Sequence, residues 1–212
     1  MSAIRLFLPP LLFIATLAPI GAQDGNEIIS KWLATNSGTS NVKVNFSQTR
    51  TMRTLKVPIR QSGTLTLDYR SGKFRWELGR PTQTIVVKDG GGVLIVRPSV
   101  KKYERRSGGM PAMSALARGF PRTLSEFNSR YRVLSVQKVG SRHRIVTRPR
   151  SGSGVDEFTF VVEANGSRLT GIEIDLSDGS SVKTSFTSVK RNVSLPSSVF
   201  SPSISGYEAT KF

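Results

Sequence analysis

The sequence contains no cysteine and a single histidine. The first absence excludes disulfides, thiol chemistry, cysteine metal sites and a lipid-modified cysteine at a processed N-terminus. With one histidine, zinc and transition-metal sites lack their usual ligands. A Ser–His–Asp triad would have to draw on His143, and no G-x-S-x-G elbow occurs to support one. His143 stands between Arg142 and Arg144 and is expected as a surface residue without a chemical role. Acids are also scarce: 14 Asp and Glu face 31 Lys and Arg, a net charge of +17. The close acidic pairs, Asp156-Glu157 and Glu173/Asp175, fit turn flanks and alternate strand positions rather than a catalytic dyad. No catalytic residue, metal or cofactor is expected. Three Asn-x-Ser tripeptides, at Asn45, Asn165 and Asn192, match a glycosylation pattern that matters only on a eukaryotic secretory route.

The N-terminus is a targeting segment. Arg5 opens it, Leu6 to Ile20 is apolar, and Gly21-Ala22 is a small-residue exit. The apolar run, about 15 residues or roughly 22 Å as helix, is short for a bilayer core of about 30 Å. Pro9, Pro10 and Pro19 weaken it further as a membrane anchor. Residues 1–22 are therefore read as a signal peptide cleaved after about Ala22, leaving residues 23–212 as one exported domain with one core. The basic excess is concentrated. Between Arg97 and Arg150 stand 14 Lys and Arg against Glu104 and Glu126. Such a field either keeps a surface solvated or attracts lipid headgroups, lipopolysaccharide phosphates or acidic proteins. Nucleic acid is not expected, because the chain is exported and its basic residues are not interleaved with stacking aromatics.

Ile28, Ile29, Trp32 and Leu33 recur at helical spacing and predict a helix over Asn26 to Thr35. The period then becomes two. Val42, Val44 and Phe46 alternate with polar residues, as do Leu65, Leu67 and Tyr69, then Phe74, Trp76 and Leu78. Thr84 to Val87 and Val93 to Val96 flank the turn Asp89-Gly90-Gly91-Gly92. Strands resume over Arg132–Val139, His143–Thr147, Glu157–Val162, Leu169–Leu176 and Val182–Ser188, with hairpin turns at Asn165-Gly166 and Asp178-Gly179. Ten or eleven strands in consecutive hairpins imply an antiparallel meander, a curved sheet or an incomplete barrel. Ser107 to Arg130 breaks the alternation. Met110, Met113, Ala117, Phe120, Leu124 and Phe127 are spaced by three or four, with Pro111 and Pro121 at helix starts. A helix before the sheet and a helical segment within it leave an interior between the layers.

The stretch Gly63 to Arg106 resembles the periplasmic outer-membrane lipoprotein carriers of the LolA family. The residues that carry the resemblance are Gly63-Thr-Leu-Thr-Leu-Asp-Tyr69, then Arg70-Ser71-Gly72-Lys73-Phe74-Arg75-Trp76, Pro81, Thr84 to Gly90, and Leu94 to Pro98. Upstream, Phe46-Ser47-Gln48 resembles the family's Phe-x-Gln. Downstream, Val189 to Asn192 and Phe200-Ser201-Pro202 resemble its closing segment. The chain departs from the pattern at Ser71, where a proline is usual, and at Arg97, where an acid is frequent.

The resemblance implies an incomplete antiparallel β-barrel, a curved sheet of about 11 strands, with a helical lid over its concave apolar face. It implies that Arg70 locks the lid. It also implies that Leu65, Leu67, Trp76, Met110, Met113, Leu116 and Phe120 form the cargo cavity and lid. Phe74 would serve partner docking at the mouth. The implied function is carriage of lipoprotein acyl chains from the inner to the outer membrane by a periplasmic monomer. The implied partners are acylated lipoproteins as cargo, an inner-membrane ABC-type releasing complex and an outer-membrane lipoprotein receptor. Other readings stay open: a related carrier of another acylated lipid or glycolipid, a module that senses lipidated proteins, or a hydrolase.

Overall fold

The computed structural model describes residues 22–88, 92–107, 121–151 and 154–210. Helix α1, Ala22–Asn36, leads the chain. Its Ile29, Trp32 and Leu33 are buried, as the helical spacing predicts. It ends where Asn36 Nδ2 turns back to the Trp32 carbonyl and Ser37 and Thr39 close two tight turns. Six strands follow: β1 Asn41–Thr51, β2 Ile59–Asp68, β3 Lys73–Leu78, β4 Thr84–Lys88, β5 Val93–Arg97 and β6 Lys102–Arg106. Helix α2, Leu124–Arg130, precedes β7 Tyr131–Val139, β8 Arg142–Pro149, β9 Val155–Glu163, β10 Leu169–Leu176, β11 Ser181–Arg191 and β12 Glu208–Ala209. Among the described residues no helix is long and apolar enough to cross a membrane.

All twelve strands form one open, curved sheet in the order β12-β6-β5-β4-β3-β2-β1-β11-β10-β9-β8-β7. Two meanders, β1 to β6 and β7 to β11, are joined by the antiparallel pairing of β1 with β11. This refines the expected run of consecutive hairpins: β6 and β7 are not neighbours but lie towards opposite edges. β6 and the two-residue β12, which pairs with it in parallel, add to the strands read from the sequence. Register is set by the alternation itself. Val44 faces Leu65, and Leu65 faces Trp76, so each apolar row lands on the same face. Bulges at Asn45/Phe46 and at Val133/Ser135 bend the sheet. Gly166 and Gly179 take φ of 72° and 78° in the two hairpin turns that the sequence marks.

The concave face holds the core. On the β7–β10 side, α1 and α2 lie over it through an aromatic cluster. Trp32 meets Phe160 at 5.2 Å and Phe127 at 6.2 Å, and Phe158 stacks on Phe160 at 4.7 Å. On the convex side of the other half, Arg75 Nη1 donates to the Val199 carbonyl at 3.0 Å, which straps the C-terminal segment across β3 and buries Phe200.

Candidate functional site

Where the helices stop, the concave face leaves a cavity of about 630 Å³ between the β1–β6 strands and β10–β11. Its floor is apolar: Trp76, Leu78, Val86, Ile95, Ile172 and Ile174. These side chains come from four strands, β3, β4, β5 and β10, and each is inward because of the period-two alternation on its own strand. The lining also holds polar and basic side chains, Gln48, Arg50, Gln61, Arg97 and Arg106. Glu104 is buried on this face and accepts two hydrogen bonds from Arg106, at 2.6 Å from Nε and 3.1 Å from Nη2. That fork neutralises a carboxylate that would be costly to bury alone. The volume lies within the range of about 300–1,000 Å³ usual for small-ligand sites.

The expected cavity residues distribute as follows. Trp76 lines the cavity. Leu65 and Leu67 are fully buried in the core on the same face, beneath it. Phe74 is also buried, at 1% exposure, and packs within the core. Met110, Met113, Leu116 and Phe120 lie outside the described residues. Arg70 is exposed in the β2–β3 turn, where its backbone N–H donates to Asp68 Oδ1 at 3.0 Å, and its side chain makes no hydrogen bond to a described residue. Gln48, Arg50, Gln61, Arg97 and Arg106 were not legible in the sequence as lining residues, because polar residues at inward positions break the apolar pattern that marks a lining.

Another arginine ties the start of the helical segment to the loop after α1. Arg122, just before α2, donates from Nη2 to the carbonyls of Ser37 at 2.7 Å and Thr39 at 3.1 Å. Its guanidinium also sits 5.7 Å from the centroid of Tyr69, the neighbour of Arg70. Burial pushes the Tyr69 hydroxyl up to about 12, against the opposing pull of Arg122 and Arg191. Thr123 caps the start of α2: its Oγ1 accepts from Glu126 N, and Glu126 Oε2 accepts from Arg122 N, the residue before the cap.

His143 corrects an expectation. It is buried at 6% exposure rather than lying on the surface, because β8 alternation turns Arg142 and Arg144 outward and His143 inward. Burial, with Lys138 nearby, holds its pKa below the usual value, opposed by a backbone hydrogen bond at Glu163. Of the acidic pairs, Glu173 bridges Arg144 at 2.7 Å and Lys183 at 3.7 Å. The asparagines of the Asn-x-Ser tripeptides are engaged as acceptors, Asn45 from Thr64, Asn165 from Ser167 and Asn192 from Ser40. Among the described residues no group of His, Cys, Asp and Glu is placed to hold a metal.

An open half-barrel with an apolar cavity on its concave side defines the class of the fold. The chain belongs to the LolA family of outer membrane lipoprotein carrier proteins, whose family model matches residues 37–203. An outer-membrane lipoprotein carrier protein of Dechloromonas aromatica is 28% identical over 166 residues, 76% of each chain. Among solved structures, an uncharacterized conserved protein from Thermus thermophilus covers 89% of this chain and 98% of its own at a TM-score of 0.53 and 10% identity. A LolA superfamily protein from Nitrosomonas europaea covers 84% and 97% at a TM-score of 0.45 and 11% identity.

Proposed function

We propose that this chain is a periplasmic carrier that shields the acyl chains of lipoproteins and moves them from the inner to the outer membrane. The observation that carries this reading is the apolar-floored cavity on the concave face of a chain of the LolA family. Each methylene exposed to water costs about 0.8 kcal/mol, so an acylated protein needs a dry compartment to cross an aqueous space. The chain acts by binding, without catalysis. Residues 1–22 direct export and are removed after about Ala22. The donor is an inner-membrane ABC-type lipoprotein-releasing complex, and the acceptor is an outer-membrane receptor that holds acyl chains more tightly.

Arg70 locks the lid, and Met110, Met113, Leu116 and Phe120 supply it. Trp76 forms the wall against which cargo packs, and Leu65 and Leu67 support it from within the core. Phe74, buried in the closed form, is uncovered for docking when the mouth opens. A closed lid that costs free energy to open keeps the affinity for cargo modest, which favours onward delivery. A second reading, a carrier of another acylated lipid or glycolipid with an anionic headgroup, is favoured by Arg50, Arg97 and Arg106 in the cavity lining.

The test is binding of a fluorescent acyl probe to purified protein, with displacement by triacylated lipopeptide. Filling the floor with Ile95→Trp or Ile174→Trp is expected to weaken the probe at least tenfold. Displacement by an anionic glycolipid but not by lipopeptide selects the second reading. Probe binding unchanged by both floor variants contradicts the cavity as the site.

A further inference from the structure

The hairpin between β1 and β2 joins two features. Leu55, Val57 and Ile59 are 43%, 71% and 39% exposed, and they make up half of the six exposed large hydrophobics among the described residues. Arg50, Arg53, Lys56 and Arg60 flank them, all exposed. The sequence from Ile28 to Leu67 contains no Asp or Glu. The acid that approaches from a neighbouring element is Asp178 in the β10–β11 turn, where the Arg53 side chain lies over Gly179 and the charge of Arg50 acts on Asp178. Arg50 and Ile59 also line the cavity, so the hairpin stands at its open end.

An exposed apolar tip ringed by cations fits the boundary between lipid headgroups and acyl chains. Apolar side chains enter that boundary, and lysines and arginines meet the negative surface potential of anionic lipids. Either signal alone gives weak attachment, and the two together give reversible docking. Arg132 and Arg148, directly opposed on the outward face of β7 and β8, form another basic site, but neither lines the cavity described above.

We propose that the β1–β2 hairpin tip is a membrane-docking element that seats on anionic phospholipid, with Leu55, Val57 and Ile59 entering the headgroup boundary and Arg50, Arg53, Lys56 and Arg60 meeting lipid phosphates. Docking sets the cavity mouth against the bilayer in which the donor complex or the acceptor sits. It deepens the carrier reading, yet it is testable on protein without cargo, so its failure and that of the carrier reading are distinguishable.

The experiment is flotation of the purified protein with vesicles of phosphatidylcholine and phosphatidylglycerol, and with phosphatidylcholine alone. The variants are Leu55→Asp/Val57→Asp, Arg53→Gln/Lys56→Gln and, as a control, Arg132→Gln/Arg148→Gln. Circular dichroism and the thermal midpoint confirm that each folds, as expected for exposed positions. Protein is expected to float with the anionic vesicles and to be released by salt. Both hairpin variants are expected to lose binding, the Arg53→Gln/Lys56→Gln pair by about fivefold for each cation removed, while the control retains it. A dye on Leu55→Cys, the sole thiol of that variant, is expected to shift to the blue on vesicles. Absence of flotation overturns the proposal, as does binding that only the control pair reduces. Loss on removing charge without loss at Leu55 and Val57, or no dye shift, overturns the insertion.

Discussion

Phe46 and Trp76 lie ring against ring with centroids 4.5 Å apart, although the strands that carry them are separated by β2. The intervening residue is Gly63, paired with Phe46 on one side and with Leu78 on the other. A Cβ at Gly63 would come within 2.5 Å of the Phe46 ring and 2.1 Å of the Glu77 carbonyl oxygen. The glycine leaves the space through which Phe46 reaches the residue that floors the cavity.

Gly63→Leu is therefore expected to destabilise the fold by at least about 1–3 kcal/mol, the usual cost of overpacking a core. Phe46→Ala is expected to cost about 3–5 kcal/mol through the cavity it leaves. Urea denaturation checks both, with a lowered midpoint at unchanged slope as the signature.

Arg122 ties the segment before α2 to the loop after α1. Arg122→Gln is expected to cost about 0.5–1.5 kcal/mol, since of the two bonds it loses one is exposed and the other half-buried. The larger effect is local. Hydrogen exchange is expected to speed up in α2 and around Thr39 and Tyr69, with the β1–β2 and β10–β11 ladders unchanged. Uniform acceleration across the sheet contradicts a local clip.

The buried His143 makes stability depend on pH. Its folded pKa lies below the ordinary value of 6.5, so the unfolded chain takes up the proton first as pH falls. The neutral folded form is fully favoured above about 6.5, and its advantage declines as pH falls below that value towards the depressed folded pKa. His143→Leu is expected to flatten the thermal midpoint of unfolding across pH 5 to 7, relative to the wild type. An unchanged slope contradicts the assignment to His143.

Much of the sheet was legible in the alternation of apolar residues, because a one-residue slip would turn a whole row to solvent. The turns at Gly166 and Gly179 were legible because a positive φ favours glycine. The pairing of β1 with β11 was not, since no local pattern records which strands meet across most of the chain. β6 escaped because its inward residue is Glu104, buried by its fork with Arg106 rather than by apolarity. His143 was misplaced although the signal was present: the alternation that turns Arg142 and Arg144 outward carries His143, Ile145 and Thr147 inward. Trp76 could be placed at the cavity from its motif, whereas the lining arginines resemble solvated surface in sequence.

The carrier account is tested most directly by native mass spectrometry with lipid extraction on protein purified from its own periplasm, beside an Arg70→Leu variant. The account predicts triacylated lipoprotein retained by the variant, whose lid no longer locks, and little or none on the wild type, which hands its cargo on. Absence of any acyl ligand from both samples would contradict it.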